Sequence, residues 1–362
     1  MKLKKLTIIA LSALAGAAVG CTDFVEPGKD NVLTREDVIA NPVLAEGILL
    51  KAYDNLPTTL NYTEVAVDDA HSNNISNGYM LAAMGAWRST SDPFSQWRNY
   101  TQIAYINYFL DQIVDDVKWS YTSEWRAEHF PNRLKGEAYA LRAYHHSLIL
   151  QAHAGRSASG ELLGVPYMDR FISSKQEQDG LQRLPFAECV GKIEKDIERA
   201  LQLLPDRYEN APAGTPDKED YDVVYGSRNT NRISGLAMKM LRARVRLLAA
   251  SPAFNPTNDP ALWEKAAESA AEVIDAFGGL GNLAPDRVVF YLDKGNRDIL
   301  WREDYTNSSN LEKAQFPPSL NGSGRVSPSQ NFVDAFPMKS GYPIDADGSG
   351  FDKRNPFEGR DP

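Results

Sequence analysis

Cysteine is nearly absent: Cys21 and Cys189 are the only two in 362 residues. Two thiols cannot build a disulfide framework, and no CxxC or Cys/His spacing is present to hold zinc. Long apolar runs are missing too. After the first 20 residues no stretch reaches the 18 apolar residues that a membrane-spanning helix needs. Positive charge is scarce relative to negative, with 39 Lys and Arg against 48 Asp and Glu and a net charge of −9. No basic arm is present, which argues against nucleic acid as a partner, because such a binder must neutralise phosphates. GxSxG, HExxH, P-loop and Cys/His nucleophile patterns are all lacking. Nothing therefore points to a resident cofactor or to nucleophilic catalysis.

Hydrophobic residues make up 43% of the chain and charged residues 24%, enough for a large folded core in one or two domains. Residues 1–20 stand apart as a secretory signal: Lys2, Lys4 and Lys5, an apolar stretch from Leu6 to Leu14, then small residues only. Ala18-Val19-Gly20-Cys21 resembles a bacterial lipobox, with Ala18 where Leu is usual. In that reading Cys21 carries the lipid and becomes the mature N-terminus, and 21–41 is a tether with breakers at Pro27 and Gly28. The other reading is an ordinary cut after Ala17 that leaves Cys21 a free thiol.

The helical stretches follow from apolar spacing of 3 and 4. They are expected near 42–55, 97–117 (Ile103, Ile106, Leu110, Ile113, Val117) and 131–154, opening at Pro131 and ending at Gly155. Two more lie between Pro185 and Pro205 and over 231–250. The last is capped by Asp259, has Pro260 in its first turn and closes at Gly278-Gly279. Helices of this length in succession suggest stacked pairs, and Trp263-x-x-Ala266-Ala267-x-x-Ala270 has the spacing of a tetratricopeptide helix. Between 57 and 98 the chain is mostly irregular and polar, long enough to suggest a functional loop. After Gly281 two short apolar pieces, 287–292 and 298–304, read as strands or short helices. Pro, Gly, Ser and Asn dominate from Thr306 onward.

An ordered set of segments now carries a resemblance along nearly the whole chain. It includes the lipobox, "WRNYTQIAYINYFLDQI", "RLKGEAYALRAYHHSLIL", "GVPYMD", "NRISGLAMKMLRARVRLLAASPAFN", "ILWRED" and "SPSQNFVDAFPMKSG". The most specific are Gly136-Glu137-Ala138 with Leu141-Arg142-Ala143-Tyr144, and Pro328-Ser329-Gln330 with Asp334-Ala335-Phe336. The chain resembles a SusD/RagB-type outer-membrane lipoprotein of Bacteroidetes. That resemblance implies a mostly α fold, a SusD-like superhelix of tetratricopeptide-like pairs over 42–305. It adds an irregular, loop-rich ligand lobe with minor β structure. It also implies a lipid-anchored protein at the cell surface that binds a glycan and acts as a lid on a TonB-dependent SusC-like transporter, without being an enzyme. Family members continue past Arg360-Asp361-Pro362 with further helix, so the lobe over 306–362 is expected to be truncated at its end.

Sugar binding uses flat aromatic faces together with amides, arginines or acids. Trp87 and Arg88 follow the polar loop containing Asn74 and Tyr79, and Trp97 closes it. These are the first ligand candidates, although Trp97 is equally read as a packing residue. Tyr305, Asn307 and Phe316 form a second group. Asp345, Asp347 and Ser349, with Gly350, match the opening of a calcium loop, but Pro356 stands where a bidentate Glu belongs. His145, His146 and His153 read as satisfied packing residues. Arg142, Arg242, Arg244 and Arg246 are expected to pair with acids between helices. Asp68, Asp69, Glu303 and Asp304 offer carboxylates, without the fixed separation that a glycosidase requires. The remaining alternative is a helical-repeat scaffold that grips protein partners and takes no small ligand.

Overall fold

The computed structural model describes residues 33–57, 62–86, 88, 90, 92–283, 295–303 and 308–361. The signal, Cys21 and most of the expected tether therefore lie outside the described residues, as do Trp87, Tyr305, Asn307, Asp304 and the apolar piece 287–292. The helices are α1 (Arg35–Ile39), α2 (Pro42–Leu50), α3 (Gly78–Ala83), α4 (Asn99–Gln112), α5 (Glu124–His153) and α6 (Lys175–Asp179). They continue with α7 (Phe186–Leu203), α8 (Lys218–Val224), α9 (Gly235–Ala250), α10 (Pro260–Ala276), α11 (Asn310–Gln315) and α12 (Gln330–Ala335). The strands are β1 (Ala70–Ser72), β2 (Gly155–Arg156), β3 (Leu162–Leu163) and β4 (Val326–Pro328). The fold is mostly helical, with minor β structure.

The longer helices pack in chain order, α4 on α5, α5 on α7, α7 on α9 and α9 on α10, so each buries its stripe against its neighbours. Ile103, Ile106 and Phe109 of α4, Leu134, Leu141, Ile149 and Leu150 of α5, and Ile193 and Ile197 of α7 form the centre of the core. Close approach is written into α5. A Cβ on Gly136 would sit 2.9 Å from the side chains of Leu203 and Leu204 at the end of α7. Cys189 is buried under Gly164, where any added Cβ would strike its sulfur, and burial pushes its thiol pKa up. The second cysteine is thus a packing residue.

Helix ends obey capping rules more often than apolar spacing suggests. Asp259 caps α10 by accepting from the Ala261 amide (3.0 Å), with Pro260 first in the helix and Gly278 and Gly279 at positive φ beyond it. Ser234 caps α9, so that helix begins at Gly235 and not at Asn231. α4 stops at Gln112, and the turns that follow bury Ile113, Val114 and Val117. The largest departure is α5, which begins seven residues before Pro131 and runs straight through it. An internal proline costs roughly 3 kcal/mol. Tertiary contacts offset that cost: Trp125 packs on Tyr221 and Tyr225, the Ser123 hydroxyl donates to Asp220, and Arg126 pairs with the same aspartate (2.5 Å).

Two buried polar networks lock the stack. Arg142 donates to both oxygens of Asp196 in α7 (2.6 and 2.7 Å), to Asn107 Oδ1 in α4 (2.8 Å) and to the Asp169 carbonyl (2.9 Å). The Tyr167 hydroxyl donates to the same aspartate (2.9 Å), and His146 bridges the Met168 amide and the Arg142 carbonyl. The second network is centred on Glu137, which accepts from Arg133, Arg232 (2.9 Å) and the Tyr53 hydroxyl (2.9 Å). Arg242 pairs with Glu272 and Arg246 with Glu194 (2.5 Å), as expected. Arg244 departs from that expectation and lines an open groove between α5 and α9, because its helical position faces out of the α7 contact.

The irregular lobe is tied to the polar loop by a β1–β4 pair, Ala70 opposite Pro328 and Ser72 opposite Val326. Asn73 donates to the Ser323 carbonyl (2.7 Å), and the Ser329 amide donates to the Asp69 carbonyl (2.8 Å). The described part of the piece at 298–304 forms neither strand nor helix. Trp301 is the reason: its indole donates to the Asn231 carbonyl (3.0 Å) and its ring wedges edge-on against Tyr53 and Tyr144. Among the described residues, no helix is long and apolar enough to cross a membrane.

Candidate functional site

The described residues of 62–98 fold over the C-terminal end of α5 and border a cleft of about 680 Å³, within the size range of small-ligand sites. Val65 and Ala70, both buried, pin the loop to the body. Asn77 then starts α3 by accepting from the Met80 amide (3.1 Å), which sets Tyr79 in the first turn. Asp92 accepts from the Phe94 amide (2.9 Å) and turns the chain so that Phe94 meets Tyr79 at 5.2 Å, tilted by 58°. Both rings face the cleft, with Thr63, Asp92, Gln96 and Gln151 as polar lining and Leu148 and Ala152 as its floor. Apolar faces set among amides, a hydroxyl and one carboxylate suit a ligand with C–H faces and many hydroxyls.

Trp97 stands beside this cleft, 46% exposed, and stacks on His153 at 3.7 Å and 10° and on Tyr100 at 6.1 Å. His153 is the last residue of α5, and its Nε2 accepts from the Gln96 amide (2.9 Å). Burial lowers the His153 pKa, Asp92 raises it and Arg183 lowers it, with a net downward shift. The ring is therefore neutral at neutral pH and its Nε2 is free to accept. One histidine thus fastens the segment that carries Phe94, Gln96 and Trp97. His145 lies deeper, with its ring nitrogens 2.8 Å from Asn99 Oδ1 and from the Ala52 carbonyl. Two facing oxygens favour the charged ring, but burial outweighs them and pushes its pKa down to about 4.

The structure separates the residues that the sequence grouped. Tyr79 lines the cleft and Trp97 flanks it. Arg88 is exposed and does not line it. Asn74 is exposed and uses its side-chain oxygen to accept from the Ser76 amide (3.1 Å), which makes it a turn residue. Phe316 sits on the separate lobe, 45% exposed after α11, where Gly322 and Gly324 fold back under its backbone. Phe94, Gln96 and Gln151 were missed. The Asp92-Pro93 turn signal was available for Phe94, whereas nothing local marks Gln151, which arrives on α5 from outside the loop.

The calcium-like turn commits its third ligand elsewhere. Ser349 Oγ donates to the Ile344 carbonyl (3.0 Å) and accepts from the Phe351 amide (3.2 Å), and residues 336–361 form turns without a flanking helix. Among the described residues, no cluster of three or more His, Cys, Asp or Glu is placed to hold a metal ion.

Comparison with known proteins places these features in context. A profile of a SusD-like family, described as starch-binding and associating with the outer membrane, matches residues 23–220. No curated protein matches the chain. Among solved structures it is similar to a SusD-like protein from Bacteroides fragilis, with 20% identity and a TM-score of 0.63 over 90% of this chain and 60% of that one. A SusD-like carbohydrate binding protein from the same species gives 17% identity, a TM-score of 0.63 and coverage of 90% and 58%. A SusD superfamily protein from Bacteroides vulgatus gives 16%, 0.57, 82% and 62%. The chain spans about 60% of the length of these structures.

Proposed function

The chain belongs to the SusD-like family, and on that premise we propose that it captures an oligo- or polysaccharide at the cell surface and delivers it, as a lid, to a TonB-dependent outer-membrane transporter. The observation that carries this reading is the cleft over the end of α5, where Tyr79 and Phe94 present ring faces among Gln96, Gln151, Asp92 and Thr63. Trp97, beside the cleft, extends the platform, and Trp87 and Arg88 remain assigned to ligand contact on sequence grounds alone. The ligand leaves unchanged, because the site is built for stacking and hydrogen bonding. A lipid on Cys21 holds the protein to the outer membrane, and the segment to residue 41 serves as its tether.

The test is binding by protein that starts after Cys21, measured on a glycan array and by affinity electrophoresis in soluble polysaccharide gels. Phe94→Ala and Trp97→Ala are each expected to weaken binding about fivefold, since one lost aromatic contact is worth roughly 1 kcal/mol. Recovered glycan should keep its mass. Failure to retain any glycan would remove this reading in favour of a helical-repeat scaffold for protein partners. Mass spectrometry of the mature N-terminal peptide tests the anchor: an unmodified Cys21, or a start at Ala18, excludes it.

A further inference from the structure

A second cleft of about 500 Å³ opens on the same side of α5, at the aromatic corner made by Trp301, Tyr53 and Tyr144. Trp301 meets Tyr144 at 5.5 Å and 86° and Tyr53 at 6.2 Å and 75°. The polar ends of Tyr53 and Trp301 are satisfied inward, on Glu137 and on the Asn231 carbonyl, so what the corner offers the cleft is ring surface. Between the two clefts runs the shallow groove of α5 and α9. It shares Tyr144 with the Trp301 cleft, and Leu148 and Gln151 with the Tyr79 cleft. Tyr144, Leu148 and Gln151 follow one another at helical spacing of four and three, so they form a single line down one face of α5. From Tyr144 to Ala152 that line alone measures about 12 Å at the helical rise.

We propose that the two clefts are the ends of one binding track along α5, and that its ligand is an uncharged, linear glycan chain long enough to touch both aromatic groups. This rests on the glycan-binding reading above and narrows it. Continuity argues for a chain, since the three depressions follow one another along α5 and share lining residues. Charge argues for neutrality. Among the described residues, the charged side chains lining the track are Asp92, Arg244, Arg302 and Glu303, two of each sign, a balance that does not favour an acidic polysaccharide. The middle of the track is Leu148, Gln151, Leu248 and Arg244, a mixed surface on which a sugar ring covers the apolar side chains and offers hydroxyls to the one guanidinium.

The experiment is an array of size-graded linear glycans, from disaccharide upward, in neutral α-glucan, β-glucan and β-mannan series beside a uronic-acid series. Unmutated protein is expected to gain at least tenfold in affinity between the shortest and longest neutral members, about 1.4 kcal/mol, and to bind the uronic-acid series more weakly. Trp301→Ala, checked for an unchanged melting temperature, is expected to erase most of that gain. Equal affinity for short and long chains in the unmutated protein, which needs no variant to fold, overturns the track while leaving glycan binding intact. A length gain that survives in a folded Trp301→Ala protein overturns it as well, as does preference for the uronic-acid series. No binding to any series overturns the glycan reading itself.

Discussion

At the scale of single residues, the segments that carried the family resemblance turn out to hold buried polar chemistry. Arg142 in "LRAY" and Tyr167 in "GVPYMD" meet on Asp196, a carboxylate from a third helix whose position no local pattern announces. Pairing of Arg142 was legible from its helical register, but its partner was not, because bidentate geometry is a property of three elements at once. His146 has a consequence for acid stability. Its Nδ1–H donates to the Arg142 carbonyl while Nε2 accepts from the Met168 amide, and burial pushes its pKa down to about 3. In the unfolded chain the ring titrates near 6.5. As pH falls below that value the unfolded state binds the proton first, so the stabilisation present at neutral pH is lost as pH drops toward the folded value. His145, lowered to about 4, acts in the same sense. Urea unfolding between pH 6.5 and 5, above the carboxylate range, should show stability falling with a limiting slope of about 1.4 kcal/mol per pH unit for each histidine. A flat profile there would mean that the two rings titrate as exposed ones do.

At the scale of the element, helices were the most legible feature, because a 3.6-residue stripe needs no distant information. Asp259-Pro260 gave the start of α10, and Pro185 became the residue that precedes α7. Pro131 misled for the same reason: local chemistry argues against a proline in mid-helix, and only Trp125, Ser123 and Arg126, engaged with distant partners, hold the preceding turns in place. Gly136 shows packing overruling propensity. Alanine there would gain up to about 1 kcal/mol of helix propensity. Its Cβ would press on Leu203 and Leu204, and overpacking of that kind costs roughly 1–3 kcal/mol. Gly136→Ala should therefore lower the chemical-denaturation midpoint, and a raised midpoint would show that α5 and α7 can part freely.

At the scale of the molecule, the chain divides into a stack with a deep core and a lobe with little of one. α4, α5, α7 and α9 carry most of the fully buried side chains, while residues 308–361 contribute few, Met338 and Ser329 among them. Hydrogen exchange followed by mass spectrometry should find α5 and α9 amides slowest and the peptides of 62–86 and 322–361 much faster, because local opening there breaks few buried contacts. Equal protection throughout would contradict the division. The stack was legible in the sequence and the lobe was not, since its order comes from pairing with residues far away in the chain. The candidate site was half legible for that reason: Tyr79 and Trp97 announce themselves as aromatics in a polar loop, whereas Leu148 and Gln151 enter only through the tertiary fold.

The β1–β4 pair sets the timetable on which the site comes into being. Asn73 reaches a carbonyl 250 positions downstream, and Ser329 reaches back 261 positions to Asp68. A contact of that sequence separation closes a very large loop, and its entropic cost falls due before any pairing rewards it. The helices can find their neighbours as the chain emerges, but the start of the loop that covers the cleft is tied down only by residues near position 329. A growing chain is thus a helical stack first and a binding protein only once residues near 329 have been made.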